Sequence, residues 1–495
     1  MAEGLRSATP AGRWVIAATV LGSGIATLDA TVVGIVLPTV GREFHVGIGT
    51  LQWVVTGYTL TLAAFLLLGG SLGDRYGRRR VFSIGVAWFA TASLACGFAP
   101  NAAALIAARV VQGIGAALLT PGSLAILQAS FVPSDRARAI GAWSGFGGLT
   151  AAAGPLIGGE LINIGSWRWV FFVNLPISVV VLVITARHVP ETLDPDAAHH
   201  LDVVGAALAV VSLSGLTYAL IEGPTRGWGS PGVAVALALG VVGLPSFVTW
   251  ERRTRSPMLP LSMFGDRQFS ATNAVTFAIY AALAGALFLL PVELQIVSGY
   301  SPLASGLALL PVTLIMLTLS ARSGRLASRL GPRLQMSAGP VIVGAGLALL
   351  SRATAADAGF GDYVTYVLPA VMVFGLGLAT TVAPLTATAL DSAPASHAGL
   401  ASAVNNDVAR AAGLLAVAVL PVLAGVTGAS YLHPSALAAA FRRSVSMAAG
   451  LCAAGGVLAA LTIRNPPRTE QTPPAPRFHC ALDGPPPHAS ASPVP

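Results

Sequence analysis

Gly70-Ser-Leu-Gly-Asp-Arg-Tyr-Gly-Arg-Arg79 and Gly324-Arg-Leu-Ala-Ser-Arg-Leu-Gly-Pro-Arg333 are two versions of one pattern: glycine coincides at the first and eighth places, leucine at the third, and arginine at the sixth and tenth. Basic residues alone recur by chance in short loops, but the glycine spacing does not, so the chain reads as two homologous halves. Each copy suits a tight turn between two helices, where glycine permits close approach and Asp74 can receive arginine hydrogen bonds or cap the next helix. Gly70, Gly73, Asp74, Arg75, Gly77, Arg78 and Arg79 are therefore candidates for conformational gating. The competing reading is a basic loop that only sets topology.

Outward from this turn the chain is a series of long apolar runs. Hydrophobic residues make up 54% of the sequence and charged ones 10%, whereas a soluble domain carries nearer a quarter as charged residues. A membrane-crossing helix needs about 20 mostly apolar residues. Fourteen such stretches are expected: 14–39, 50–72, 81–99, 102–127, 139–162, 167–186, 203–221, 231–250, 269–290, 302–320, 336–350, 363–390, 399–426 and 445–463. The runs are continuous and rich in Ala, Leu, Gly and Val, so helices and not barrel strands are expected, giving an all-α polytopic membrane protein. The first run is too long for a removable signal peptide and contains Asp29, so it is expected to stay as an anchor.

Lysine is absent, so arginine supplies the positive loop charge. With the amino terminus inside, twenty of the 28 basic residues fall on the cytoplasmic side, six outside, and Arg109 and Arg410 within spans. Both termini are therefore expected in the cytoplasm. The formal charge of +8 is explained by this topology and does not call for a nucleic-acid partner. Abundant Ala, Gly, Pro and Arg hint at GC-rich coding and a bacterial plasma membrane. Cys96, Cys452 and Cys480 have no spacing of a metal site or disulfide framework. The segment from Arg464 onward is rich in Pro, Ala and Ser and reads as a flexible cytoplasmic extension.

The pattern at Gly70 to Arg79 resembles the signature that the major facilitator superfamily carries between its second and third helices. Leu28-Asp29-Ala-Thr31-Val-Val-Gly34-Ile-Val-Leu-Pro38 resembles the first-helix motif of its fourteen-span drug:proton antiporter branch, of the EmrB/QacA type, with Gly34 where Asn is usual. Arg109-Val-Val-Gln112-Gly113-Ile-Gly115-Ala-Ala-Leu-Leu-Thr120-Pro121 is similar to the motif that the family links to proton coupling. Gly154-Pro155-Leu-Ile-Gly158-Gly159, with Gly141 upstream and Thr150 in place of one glycine, resembles the antiporter motif of exporters. Ser166-Trp-Arg168-Trp-Val-Phe-Phe-Val-Asn174-Leu-Pro176 also looks like this branch. The resemblance implies a major facilitator fold of two six-helix bundles, 14–186 and 269–463. Two additional helices lie in 187–268, flanked by a terminus at 1–13 and a tail at 464–495. It further implies alternating access, export of drug-like molecules against protons, and a chain that is not an enzyme and works as a monomer.

No Gly-x-x-x-x-Gly-Lys-Ser/Thr phosphate loop is possible without lysine, so direct ATP use is not expected and no cofactor or metal is called for. Proton coupling needs a carboxylate whose charge is costly at its depth, with a cation or substrate competing for it. Asp29 leads, with Arg109 as the cation whose field can hold or release a proton site; structural roles for both stay open. Asn405, Asn406, Asp407 and Arg410 form a second polar cluster. Asp407 and Arg410, three residues apart, can pair, and a second proton or cationic-substrate site stands beside an internal ion pair as readings. Gln112, Tyr58, Asn405 and Asn406 are candidates to line a substrate cavity, as are Trp53, Phe277 and Tyr280. Glu222 and Glu293 are expected near water at the outer ends. A dedicated exporter of one metabolite and a non-transporting membrane sensor are the alternative functions.

Overall fold

The computed structural model describes residues 5–194, 201–355, 358–392 and 398–465; the expected tail beyond 465 lies outside them. Its helices are α1 (Pro10–Phe44), α2 (Ile48–Tyr76), α3 (Arg78–Gly97), α4 (Ala102–Ser130), α5 (Pro133–Ile164), α6 (Trp169–His188), α7 (Val203–Arg226), α8 (Pro231–Arg253), α9 (Arg267–Ile296), α10 (Pro302–Leu330), α11 (Pro332–Leu350), α12 (Phe360–Asp391), α13 (Ala398–Leu423) and α14 (Pro434–Thr462). The described residues hold no extended strand, only a bridge between Leu5 and Phe131. Helices suit a lipid solvent because each satisfies its own backbone hydrogen bonds. Their starts are set by proline in the first turn, as at Pro10, Pro231 and Pro302. Side-chain caps add to this, as where Asn101 accepts from the Ala104 amide at 2.9 Å.

Thirteen of these helices are long and apolar enough to cross a membrane, against the fourteen expected. The exception is α5, a 32-residue helix whose apolar run is diluted by Gly141, Gly145, Gly147, Gly148 and the polar Ser144 and Thr150. Helices also outrun their apolar stretches. The last begins at Pro434, well before the expected 445, so Arg442 and Arg443 lie on helix and not in a loop. At 1.5 Å per residue, 35-residue α1 is about 52 Å long, beyond the ~30 Å hydrocarbon, so its charged ends project.

The helix packing repeats. α1 packs on α5 and α6, α2 and α3 on α4, and α3 on α6; likewise α9 packs on α13 and α14, α10 and α11 on α12, and α11 on α14. α7 and α8 pack on each other as a hairpin, and α7 leans on α2 and α13, one helix from each repeat.

The repeated turn is built alike in both copies. Gly77 (φ 108°) and Gly331 (φ 86°) stand at the helix starts with backbones that favour glycine, and glycine has no side chain with which to cap. The cap comes instead from chain that follows each repeat's sixth helix. Glu191 Oε1 accepts from the Arg79 amide at 3.0 Å, and Asn465 Oδ1 accepts from the Arg333 amide at 3.0 Å. Asp74 takes a 2.8 Å hydrogen bond from Arg78 Nε, and Asp194 lies 3.9 Å from the same guanidinium. Asp74, Arg78 and Arg79 of the first copy are thus tied to residues 189–194, beyond α6.

The hydrogen bonds that join the two repeats gather at the opposite end, near Glu43. Gln52 Nε2 donates to the Val417 carbonyl at 2.6 Å, Gln295 Nε2 to Ile35 at 3.0 Å, the Ile48 amide to Gly428 at 2.8 Å, and the Tyr431 hydroxyl to Val46 at 2.9 Å. Toward the Asp74 end, α5 has open space beside Gly141, Gly145, Gly147 and Gly148.

Candidate functional site

Asp29 sits near the middle of α1, and Arg109 and Gln112, one turn apart on α4, face it. The Arg109 guanidinium donates through Nη1 to Asp29 Oδ2. Asp29 Oδ1 accepts from Gln112 Nε2 at 2.9 Å and from Asn174 Nδ2 of α6 at 3.2 Å. Arg109 Nη1 also reaches Gln112 Oε1 at 2.7 Å, and Nε reaches the Val54 carbonyl of α2 at 3.1 Å. Its guanidinium carbon lies 4.2 Å from the centre of the Tyr58 ring, a cation–π contact. Asn174 Nδ2 in turn donates to Ser93 of α3 at 2.9 Å, and Ser93 to the Phe171 carbonyl at 2.9 Å. Asp29, Arg109, Gln112, Asn174, Ser93 and Tyr58 are all buried.

Five helices therefore meet in one network around this carboxylate, and the ion pair is fully desolvated. Two isolated charges at this depth would be very costly; mutual attraction and a complete set of donors offset the penalty. Adding a proton to Asp29 would cancel its half of the attraction and leave the guanidinium to Tyr58, Gln112 and Val54. The arrangement can thus convert protonation into a change of contacts between α1 and α4.

Close approach of these helices depends on glycine. A Cβ at Gly113 would stand 2.1 Å from Thr61 Oγ1 and 2.3 Å from the Tyr58 carbonyl, so α2 packs against α4 only with glycine there. On α5, a Cβ at Gly154 would meet Thr31 Oγ1 at 2.0 Å, one at Gly158 would meet Val32 at 3.3 Å, and one at Gly159 would meet the Leu303 Cα at 2.5 Å. Gly306 of α10 lies against the Pro155 carbonyl, 2.5 Å from where its Cβ would be. The Gly154, Pro155, Gly158 and Gly159 segment is thus wedged between α1 and α10. Thr150, standing where a glycine is usual, lies beside Gly24 of α1 at ordinary contact distance. Next to Gly34, where Asn is usual, there is open space.

Of the two readings left open for the second cluster, the internal ion pair is not formed. Asp407 and Arg410 share a face of α13 but make no ion pair with each other among the described residues; Asp407 Oδ1 and Arg410 Nε are buried without hydrogen-bond partners. A three-residue spacing permits a pair without enforcing one, because two short reaches along one helix also have to turn toward each other. Asn405 is buried and donates to Asn273 Oδ1 at 3.1 Å and Thr276 Oγ1 at 2.8 Å of α9, while Asn406 is exposed and donates to the Ser402 carbonyl. Of the residues considered for a cavity, Tyr58 and Gln112 lie inside the Asp29 network, Trp53 donates to Glu222 at 3.1 Å, and Phe277 is exposed. Glu222 also bonds Arg226 at 2.6 Å. Glu293 contradicts its expectation of water contact: it is fully buried, bonded on one oxygen by Ser298 at 3.3 Å.

Asn174 and Ser93 are the members of the network that sequence reasoning did not assign a role. The signal for Asn174 was its place within the Ser166 to Pro176 motif; Ser93, one small polar residue in an apolar run, gave none.

The family profile described as the Major Facilitator Superfamily matches residues 19–418. The chain is 38% identical over 390 residues to the multidrug resistance protein Stp of Mycobacterium tuberculosis (strain CDC 1551 / Oshkosh), covering 78% of this chain and 71% of that protein. It is 35% identical over 410 residues to the tetracenomycin C resistance and export protein of Streptomyces glaucescens, covering 82% and 74%. Its fold is similar to that of a bacterial homologue of the human lysosomal transporter Spinster, in an inward-facing and unoccupied conformation, with a TM-score of 0.65, 16% identity, and coverage of 92% and 97%.

Proposed function

The chain belongs to the Major Facilitator Superfamily of membrane transporters and is not an enzyme, and on that premise we propose that it exports small hydrophobic or amphipathic drugs, antibiotics among them, in exchange for protons by alternating access. The observation that carries the coupling is the desolvated Asp29–Arg109 pair, held by Gln112 and Asn174 and cushioned on Tyr58. A carboxylate so placed has two stable partners, a guanidinium or a proton, and exchanging one for the other changes how α1 is tied to α4.

In this reading the Asp74 end is cytoplasmic, as the arginine bias suggests, and both termini lie inside at a bacterial plasma membrane. Residues 14–186 and 269–463 act as the two rocking bundles, 187–268 as the added hairpin, and α5 crosses the bilayer as a fourteenth span. The conformation, joined at the Glu43 end, is the one open to the cytoplasm. Substrate enters there or from the inner leaflet, the bundles rock about Gly154 to Gly159, and a proton from outside takes Asp29 as substrate leaves. Asp407 and Arg410, not paired with each other, supply a second proton or cationic-substrate site across from the first bundle. Gln112, Tyr58, Asn405 and Asn406 contribute polar and aromatic surface to the pathway, and Gly70 to Arg79 gate it. The protein works as a monomer without cofactor or nucleic acid.

The name of the tetracenomycin C relative favours a second reading, a dedicated exporter of one antibiotic. Both are tested by efflux from proteoliposomes across a compound panel, with the proton gradient intact or collapsed. Export of several unrelated compounds that stops on collapse supports the proposal, export of one supports the second reading, and export indifferent to the gradient removes proton coupling.

A further inference from the structure

A pair of acidic side chains, Asp202 and Glu251, meets at the foot of the α7–α8 hairpin, away from the Asp29 network. Asp202 precedes α7 and caps it: its Oδ1 accepts from the Gly205 amide at 2.7 Å and also from the Trp250 indole Nε1 at 2.7 Å. Glu251, just after Trp250, is 3% exposed, and its Oε2 accepts from the Leu259 amide at 3.0 Å. The remaining oxygen of each, Asp202 Oδ2 and Glu251 Oε1, is buried with no protein donor. Both converge on Gly205, where a Cβ would lie 2.6 Å from each, so the two unpartnered oxygens face one shared point.

Two acceptors buried side by side without a donor repel unless something positive stands between them. The cations nearby do not fill that place. Arg255 lines the same cavity as Asp202, Arg252 and Arg253 are exposed on α8, and Arg267 begins α9, yet none forms an ion pair with either carboxylate. Asp266 is engaged in capping α9 through the Phe269 amide, and His199 and His200 lie outside the described residues. Only two oxygens converge, and among the described residues no group of three His, Cys, Asp or Glu side chains could hold a metal ion.

We infer that Asp202 and Glu251 share one proton, forming a protonation site separate from the Asp29 network. A cavity of about 340 Å³, lined by Asp202, Trp250, Thr254 and Arg255, opens beside Asp202. The proton ties the start of α7 to the end of α8 and, through Leu259, to the linker that runs into α9. Losing it leaves two adjacent anions and loosens the hairpin from the second repeat. The folded pair holds a proton that the unfolded chain releases, so its contribution to stability is lost as pH rises.

The test uses the full-length protein in detergent. Infrared difference spectra of wild type against Glu251→Gln at neutral pH should show loss of one protonated-carboxyl C=O band, and Asp202→Asn should remove one band also, because a single proton is shared. In either variant an amide donates where the proton did, so the melting temperature should lose the decline that wild type shows from mildly acid to mildly alkaline pH. Absence of any band difference in both variants overturns the proposal. So does a bound metal, found by elemental analysis in wild type and missing from both variants, which would make this a cation site. Transport is not the readout, so either result is independent of the export proposal.

Discussion

Arg109 of α4 and Asp29 of α1 form an ion pair whose side chains are 1% and 0% exposed. Removing one partner strands the other where water cannot reach it. Arg109→Ala should therefore lower stability by about 3–5 kcal/mol, read from denaturation of the purified protein, whereas the double change Asp29→Asn with Arg109→Gln should cost clearly less than the sum of its parts. Additive costs would mean that the pair contributes no net attraction.

Asp29→Asn keeps the shape of the side chain and one acceptor oxygen, replaces the other by an NH2 donor, and cannot exchange a proton. The variant should insert and bind substrate while proton-driven efflux in proteoliposomes is lost. Undiminished coupled transport would remove Asp29 from the mechanism.

Gly159 touches the backbone of Leu303, which cannot swing aside as a side chain can. Gly159→Ala should push α5 away from α10 and shift the protein from the conformation joined at the Glu43 end. Labelling of a cysteine placed near Gln52 should then rise severalfold, and unchanged labelling would mean that α10 yields without opening the joint. By contrast, Gly34 faces open space, so Gly34→Asn should fold with stability changed by less than about 1 kcal/mol, as thermal unfolding will show.

Glu191 and Asn465 cap α3 and α11 from a distance. Glu191→Ala and Asn465→Ala should each cost about 1 kcal/mol, the usual worth of a helix cap, and by similar amounts if the two turns are equivalent. A null effect of Asn465→Ala beside a clear one for Glu191→Ala would show that the second copy keeps the shape of the motif without its anchoring.

Asp407 and Arg410 are near each other but unpaired, so neutralising one does not break an ion pair. Asp407→Asn should leave stability within about 1 kcal/mol of wild type while changing export of cationic compounds relative to neutral ones. Equal loss for both classes would argue against a charge-reading role.

The membrane class, the helices and the twofold repeat were legible in the chain because each rests on local or periodic properties: apolar runs of sufficient length, glycine spacing, and the charge of short loops. Asp29 and Arg109 stood out for the same reason, since charged residues inside apolar runs are rare and costly wherever they pack. α5 was readable as a helix, but its glycines left it short of the apolar length that its neighbours reach.

Tertiary structure decided what those residues meet. Serine and asparagine are inexpensive in a helix, so nothing local marked Ser93, and the motif around Asn174 did not name its partner, until α3 and α6 were packed around Asp29. Glu293 lies near a helix end, where water is the default expectation, and only the neighbouring chain made it a buried acid. The spacing of Asp407 and Arg410 allowed a bond that side-chain direction did not make, and Asp202 and Glu251, 49 positions apart, meet only because α7 and α8 fold back as a hairpin. Periodicity reports which residues share a face, whereas partners, burial and the distance between charges depend on which other helix comes to lie against it.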